Sequence, residues 1–358
     1  MILQQLQVHS LRSFNTAKLT FNNKCNYILG ENATGKTTIL EAIYLLSSGH
    51  SFKTREISPL IQHGQGQLVI HGNDGYSHLM IAKSLNMPTI VKIDEQPCLS
   101  TSQLAYLMPC QIYYQDIFQI MDAGPTIRRA MLDWGMFHVK HDYLQYWKRY
   151  KQILKQRNSL LKQKPKKELL NPWDDQLAQV GERISSMRSD YIKLLKIEYT
   201  TVLKQLSNLT IQLNYDKGWD KKDSGLSLRE SLANNIERDI HRGYTSVGIH
   251  QADILLETDE TQAKKILSRG QQKIALIGLK LSQSQLLNKQ CIHLMDDIFA
   301  ELDAQHQKQL ANYIKNSDDQ FFLTVLAHDK QKLDVFPEGK MIELPLEKSK
   351  NGNQIVTL

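Results

Sequence analysis

The sequence has few of the features that mark several broad classes of protein. Its 358 residues include only four cysteines, Cys25, Cys98, Cys110 and Cys291, and none lies in a Cys-x-x-Cys pair, which argues against a disulfide framework or a zinc motif. No apolar run approaches the ~20 residues of a membrane-spanning helix, and the opening residues lack the pattern of a signal peptide. The composition, 41% hydrophobic and 23% charged, is that of a globular chain. We therefore expect a cytoplasmic protein with reduced cysteines and about two domains.

Positive charge is concentrated in one stretch of the chain. The whole sequence has 44 Lys and Arg against 37 Asp and Glu, a net charge of +7, whereas residues 148–167 alone contain nine basic residues and no acidic one. This stretch is either a solvated helical face or an arm that binds the phosphates of DNA. In the second case the candidate DNA contacts are Lys148, Arg149, Lys151 and Lys155.

Strands and helices alternate in the first and last thirds of the sequence. Short apolar runs predict strands at 19–21, 26–30, 67–72 and 89–94, with an amphipathic helix at 37–47. Near the end, a helix over 273–287, a strand at 292–295, a helix at 304–315 and a strand at 320–326 imply parallel βαβ packing. The pattern predicts one α/β lobe that is split in sequence into residues 1–116 and 267–358.

The middle of the chain has a helical pattern instead. Apolar residues at alternating three- and four-residue steps predict two long helices, which should pair as a coiled-coil-like antiparallel hairpin over 143–200. The first seam contains Tyr143, Trp147, Tyr150, Leu154 and Leu161, with Arg157 at the one missing position; the second contains Leu177, Val180, Ile184, Met187, Tyr191 and Leu194. We predict an all-helical inserted lobe over 117–266.

A phosphate-binding motif follows the strand at 26–30. The segment GENATGKT at 30–37 fits G-x-x-x-x-G-K-[ST] between an apolar strand and an amphipathic helix, which is the context that this motif requires. Backbone N–H groups should face the phosphates of ATP or GTP, Lys36 should reach the β and γ groups, and Thr37 should bind Mg²⁺. The predicted nucleotide-binding residues are Gly30, Glu31, Asn32, Ala33, Thr34, Gly35, Lys36, Thr37 and Thr38.

Two carboxylates end the apolar strand at 292–295. Asp296 is the predicted Mg²⁺ ligand, and Asp297 is the predicted general base that polarises the attacking water. The alternative is that the pair caps a following helix. The two motifs lie about 260 residues apart, which excludes a compact GTPase-like domain and suits a nucleotide fold with a large insert.

A second motif precedes the returning α/β pattern. Residues 267–272, LSRGQQ, match the L-S-x-G-Q signature of ABC-type ATPases at the start of a helix. In that class the signature contacts the γ-phosphate held by another subunit, which predicts a functional dimer. The signature residues are Ser268, Gly270 and Gln271; the alternative is an ordinary helix cap.

With these motifs in place, the chain resembles the RecF family of ABC-type, SMC-like ATPases over nearly its whole length. The residues at 11–14, LRSF, resemble the family's F-R-N-Y, and GHSFKTR at 49–55 resembles G-R-S-F-R-T. Further blocks match at 124–133, 156–161, 248–253 and 268–273. The resemblance implies that Arg12 lies near the nucleotide and that Lys53 and Arg55 contact DNA or phosphate, unless both are ordinary surface cations.

The same resemblance implies a function. It predicts a weak, DNA-stimulated ATPase that binds ATP and Mg²⁺, dimerises with ATP on single- and double-stranded, especially gapped, DNA, and works with RecR and RecO to load RecA in gap repair and replication-fork maintenance. The main alternative is the ATPase subunit of an ABC membrane transporter. A nuclease with this head would need an acidic metal cluster after the last strand, where Asp329, Asp334, Glu338, Glu343 and Glu347 are scattered.

Several positions depart from the family pattern. Ala33 replaces a glycine of the phosphate loop and requires a negative φ there, and Gln251 replaces an arginine. Gln115 is the candidate magnesium-sensing glutamine, within an altered segment. The residue that senses the γ-phosphate is either Thr324 or His328, although His328 taken alone is better explained as an ordinary surface histidine.

Overall fold

The computed structural model of the chain describes residues 1–98, 100–221, 224–259, 261–345 and 354–355. In the first third the elements are β1 (Gln5–Leu11), β2 (Phe14–Thr20), β3 (Cys25–Gly30), α1 (Lys36–Ser48), β4 (Gln67–Asn73), β5 (His78–Ser84), β6 (Ile90–Ile93), β7 (Gln96–Pro97), α2 (Thr101–Leu107) and β8 (Cys110–Tyr113). The middle contains α3 (Gln119–Asp122), α4 (Pro125–Val139), α5 (Tyr143–Leu161), α6 (Asn171–Leu206), β9 (Gln212–Asp216), α7 (Leu228–Asn234), α8 (Ile236–Arg242), β10 (Asp253–Thr258), β11 (Thr261–Gln262) and α9 (Arg269–Gln285). The last part contains β12 (Ile292–Met295), α10 (Ala304–Asn316), β13 (Gln320–Leu326), β14 (Lys340–Glu343) and β15 (Gln354–Ile355).

These elements form two compact units. The first consists of Met1–Ile117, Gln205–Ser207 and Lys289–Leu358, and the second of Phe118–Lys204 and Asn208–Asn288. The predicted boundary at 267 is therefore wrong: α9, with the signature at its start, belongs to the second unit. The reason is its packing, since Tyr199 of α6 donates a hydrogen bond to the carbonyl of Ala275 (3.1 Å) and Gln283 donates to the carbonyl of Met131 (3.0 Å).

The first unit contains two sheets with α1 packed against strands of both. The five-stranded sheet has the order β14-β3-β13-β12-β8 and is parallel throughout, as the sequence predicts for its last two βαβ strands. The seven-stranded sheet has the order β15-β2-β1-β4-β5-β6-β7 and is antiparallel except at β15. All six residues of β3, including the polar Asn26, are buried, as expected for a parallel strand that is covered on both faces.

The second unit is not all-helical as predicted. It contains the predicted antiparallel pair α5 and α6. Near the start of α5, Tyr143 contacts Arg188 of α6; near the end of α5, Arg157 contacts Asp174 at the start of α6. It also contains a three-stranded antiparallel sheet in the order β11-β10-β9. This sheet was not predicted, because short polar strands such as QLNYD have too little apolar alternation to be distinguished from loops.

The predicted seam of α6 drifts from the observed one. Leu194 is 47% exposed, whereas its neighbour Leu195 is fully buried, and Arg188 rather than Met187 is buried two turns earlier. A helix has 3.6 residues per turn, so a strict 3.5-residue stripe rotates away from the buried face over several turns. In α5, Tyr143, Tyr150, Arg157 and Leu161 are buried as the stripe predicts.

Buried arginines hold the second unit together. Arg157 is fully buried and donates to Asp174 (2.6 Å) and Asp239 (2.8 Å), so one of the nine basic residues in 148–167 is neutralised inside the fold. Arg128 forms a two-point ion pair with Asp253 (2.7 and 2.9 Å). Several blocks that resemble the family therefore have a structural role here.

No helix among the described residues is long and apolar enough to span a bilayer.

Candidate nucleotide-binding site

The phosphate loop lies at the carboxyl edge of the parallel sheet, between β3 and α1. Lys36 is 6% exposed, and its Nζ donates to the carbonyls of Gly30 (2.8 Å) and Glu31 (2.9 Å), so the side chain folds back over the loop. Gly35 begins α1 with φ 102°, and a Cβ there would lie 2.7 Å from the ring of Phe14. Only glycine fits that position, as the motif requires.

Ala33 has a backbone conformation that the sequence analysis did not expect. Its φ is 65°, in the left-handed region, where the expectation for an alanine was a negative value. The tight loop between Gly30 and Gly35 imposes this conformation on whichever residue occupies position 33. The family's usual glycine adopts a left-handed φ without strain, whereas in alanine this conformation costs about 1–2 kcal/mol.

Asp296 follows β12 and accepts hydrogen bonds from two threonine hydroxyls. The Oγ1 of Thr37 lies 3.1 and 3.0 Å from its two carboxylate oxygens, and the Oγ1 of Thr324, at the end of β13, lies 2.8 Å from Oδ1. Burial raises the pKa of Asp296, the hydrogen bonds from Thr324 and Thr37 oppose the rise, and the charge of Asp297 adds to it. A hydroxyl and a carboxylate in contact form the oxygen-donor set that Mg²⁺ prefers.

Asp297 is exposed beside this cluster. Its backbone φ is 48°, and its N–H donates to the Oγ1 of Thr324 (2.8 Å), which fixes the direction of the chain after β12. The alternative that the two aspartates cap a helix is wrong, because α10 is capped by Asp303, whose side chain accepts from the N–H of His306 (2.8 Å).

A buried glutamate of α1 connects Arg12 to the segment that carries Lys53. Glu41 is 0% exposed and accepts two hydrogen bonds from Arg12, one of them 2.9 Å from Nη2, and one from the hydroxyl of Ser51. The N–H groups of Lys53 (2.9 Å) and Thr54 (3.2 Å) donate to that same hydroxyl. Glu41 was not predicted from the sequence; the available signal was one acidic residue inside the apolar run TTILEAIYLL.

A cavity of about 370 Å³ opens at this edge, within the range of small-ligand sites. It is lined by Arg12, Ser13, Asn32, Ala33, Gly35, Lys36, Thr37, Thr38, Lys53 and Asp297. Three of these side chains are cations, and the loop contributes backbone N–H groups at a helix N-terminus, so the lining fits a polyphosphate. Lys53 lines this cavity, whereas Arg55 is exposed and does not line it.

The remaining predicted residues of the ATPase lobe separate into buried and exposed positions. Thr324 is fully buried against Asp296, whereas the side chain of His328 is 68% exposed, 3.9 Å from Asp329. Neither Thr324 nor His328 is among the residues that line the cavity. Gln115 is exposed just after β8, which ends at the same sheet edge as β12, but it does not line the cavity.

The signature residues form a helix cap. Ser268 accepts from the N–H of Gln271 (3.3 Å), and the side chain of Gln271 accepts from the N–H of Ser268 (3.0 Å), a reciprocal capping box at the start of α9. Ser268 is nevertheless exposed, and Ile266 beside it is 54% exposed. Gly270 lies within the first turn of the helix.

The carboxylates considered for a nuclease are dispersed. Asp329 pairs with Lys332 (2.8 Å) and Glu343 with Lys330 (2.9 Å), and Glu347 lies outside the described residues. Across the described part of the chain there is no group of three or more His, Cys, Asp or Glu residues that could hold a metal ion.

Comparisons with known proteins support this fold. The family described as RecF/RecN/SMC N terminal domain matches residues 2–342. The DNA replication and repair protein RecF of Vibrio parahaemolyticus is 36% identical over 340 residues, which cover 92% of this chain and 94% of that protein. A solved structure described as the recombination mediator protein RecF-ATP in the RecFOR pathway is 27% identical, with a TM-score of 0.83 over 96% of this chain and 95% of its own.

An SMC head domain from Pyrococcus furiosus, bound to the C-terminal domain of ScpA, shares the fold alone, at 15% identity and a TM-score of 0.58 over 95% of this chain and 92% of its own. The phosphate loop on a parallel sheet, within this fold, defines the class as an SMC-like ATPase head. The matches at higher identity narrow the class further, and the chain belongs to the RecF family. They give the transporter alternative no support.

Proposed function

We propose that this protein is an ATP-dependent DNA-binding clamp that acts as a recombination mediator in the cytoplasm. The observation that carries the proposal is the cavity in which Arg12, Lys36 and Lys53 surround the phosphate loop beside the Thr37–Asp296 pair. Relatives described as RecF, one of them with ATP, support it. By the family resemblance, the protein works with RecR and RecO to load RecA at gapped DNA.

Each residue of the site has a proposed task. The loop N–H groups and Lys36 would hold the phosphates, while Thr37 and Asp296 would hold Mg²⁺; Gln115 follows β8 and is not among the residues that line the cavity. Bound Mg²⁺ would neutralise charge that develops on the phosphates. Asp297 is exposed at the cavity, where it would accept a hydrogen bond from the attacking water. By the family resemblance, we expect slow hydrolysis that DNA stimulates.

The proposed dimer places Ser268 of one copy on the nucleotide of another. The exposed helix N-terminus at Ser268 offers N–H groups to an anion, and a second copy would cover the exposed Ile266. The lobe that carries the signature and the lobe that carries the phosphate loop are separate compact units. Because the signature of one copy would contact the nucleotide of the other, ATP should shift the protein from monomer to dimer.

Gel filtration with and without ATP tests this proposal. Lys36→Met should abolish both ATP binding and the shift in mass, whereas Ser268→Arg should bind ATP but remain monomeric. Ser227→Arg is a matched control, because Ser227 forms the same kind of capping box at α7; it should lose a cap, at a cost of about 1 kcal/mol, and still dimerise. If Ser268→Arg dimerises with ATP as the wild type does, the signature does not close the nucleotide site.

We propose that DNA binds along one face of α5. Tyr150, Ile153 and Arg157 are buried on one side of this helix, and the exposed lysines at 148, 151, 155 and 162 fall on the opposite side at 100° per residue. They form a lysine stripe, Lys148, Lys151, Lys155 and Lys162, that is ~21 Å long at 1.5 Å per residue. That length matches about six base pairs of duplex. Lys151 is held over the ring of Trp147, 5.0 Å from its centroid.

The salt dependence of DNA affinity tests the stripe. If its four lysines each neutralise one phosphate, changing all four to glutamine should reduce the slope of log K against log salt by about 3–4 on duplex. Lys193→Gln is the control, since Lys193 is exposed on α6 but paired with Asp190 (3.3 Å), and its slope should stay at the wild-type value. An unchanged slope in the fourfold variant would mean that the face is merely solvated.

A further inference from the structure

Glu41 is a buried carboxylate that the proposed ATPase chemistry does not use directly. It lies on α1 one turn after Thr37, is 0% exposed, and accepts hydrogen bonds from only two side chains, Arg12 and Ser51, among the bonds of the described residues. Burying a carboxylate is costly unless a charge pairs with it. Arg12 supplies that charge, and its own side chain remains 28% exposed at the cavity.

The contacts of Glu41 reach the guanidinium of Arg12 and, through Ser51, the backbone of Lys53. On one side, the carboxylate grips the guanidinium of Arg12, whose backbone φ of 49° is itself left-handed. On the other side, it holds the hydroxyl of Ser51, which in turn accepts from the N–H of Lys53 (2.9 Å). Arg12 follows β1 and Lys53 follows α1, so no local geometry fixes one relative to the other.

We infer that Glu41 is a positioning residue of the nucleotide site, which holds Arg12 and Lys53 at the phosphate cavity. The inference rests on the proposed ATP binding. A carboxylate accepts from Arg12 and Ser51 together, because it has only acceptor atoms. Glutamine at 41 has the same size but one acceptor oxygen, and its NH₂ group would face a donor of Arg12 or Ser51. Glu41→Gln should therefore release Arg12 while it preserves the packing of α1.

A double-mutant cycle on ATP affinity tests the inference by calorimetry. Glu41→Gln and Arg12→Met should each weaken ATP binding about 10- to 100-fold, the range for a charged hydrogen bond. Because Glu41 acts largely through Arg12, the double variant should bind much more tightly than the product of the two losses predicts. If Glu41 acted on ATP binding independently of Arg12, the two losses would multiply. If it only stabilised the fold, Glu41→Gln would keep wild-type ATP affinity.

Asp239→Asn is the matched control for losing a buried charge. Asp239 is fully buried and accepts from Arg157 (2.8 Å) in the second unit, so this variant should lose thermal stability but keep wild-type ATP affinity. If Glu41→Gln does not fold, the cycle of Ser51→Ala with Lys53→Met applies the same criterion to the other branch.

Two outcomes are distinguishable. If the wild-type protein does not bind ATP, the proposed function itself fails. If the wild type binds ATP and Glu41→Gln binds it equally well, or if the losses in the cycle multiply, the proposed function stands and Glu41 has no positioning role.

Discussion

Replacing Ala33 by glycine should stabilise the first unit, although glycine usually destabilises a folded chain. Alanine at φ 65° carries about 1–2 kcal/mol of left-handed strain, which glycine does not. Against this gain, the unfolded chain with glycine is more flexible, which costs about 0.4–1 kcal/mol. The expected net effect of Ala33→Gly is a gain of about 0.5–1 kcal/mol, or about 1–4 °C in the melting temperature of a unit of this size.

The assay is thermal unfolding of the nucleotide-free protein, followed by ATP titration. Ala130→Gly is the control, since Ala130 is exposed within α4 and glycine there should cost about 1 kcal/mol. The two Ala→Gly variants should thus shift stability in opposite directions. ATP affinity of Ala33→Gly should change little, because the loop needs the same conformation with and without the nucleotide.

A loss of stability in Ala33→Gly similar to that in Ala130→Gly would refute this reasoning. It would mean that residue 33 has an ordinary negative φ and that the phosphate loop differs from the arrangement described above. A large gain in ATP affinity would also contradict it, since it would show that alanine strains the bound loop more than the free one.

Two further predictions concern the aspartates. Asp297→Asn should bind ATP normally but reduce phosphate release about 100-fold or more, which prolongs the DNA complex; unchanged turnover would remove Asp297 from the role of base. Burial raises the pKa of Asp296, so its carboxyl group binds a proton more tightly in the folded protein than in the unfolded chain. At neutral pH the carboxylate is ionised in both states, and its burial therefore destabilises the fold. Without Mg²⁺, Asp296→Asn should therefore melt above the wild type at neutral pH. The difference should shrink as the pH falls toward the ordinary value of 3.8, and a constant difference would contradict the raised pKa.

Patterns that depend on neighbouring residues were readable from the sequence. The strands at 26–30, 292–295 and 320–326, the helix after the phosphate loop and the two long helices of the second unit all occur within a few residues of their predicted bounds. Each is specified by its own apolar period or by a motif with fixed spacing. The short strands β9–β11 could not be predicted, because segments such as QLNYD have too few apolar residues to show the two-residue alternation of a strand.

The sequence by itself determined the chemistry of this protein: a phosphate loop between strand and helix, two acids after a buried strand, a capped signature and a basic helix, since each is a short string of residues. Only the tertiary structure decided which residues meet. It paired Arg12 with Glu41 and Asp296 with Thr37 and Thr324, and it removed Arg157 from the basic face by burying it between two aspartates. It also assigned α9 to the second unit and a left-handed φ to Ala33. Such outcomes depend on packing between segments far apart in the chain, on which local propensity carries no information.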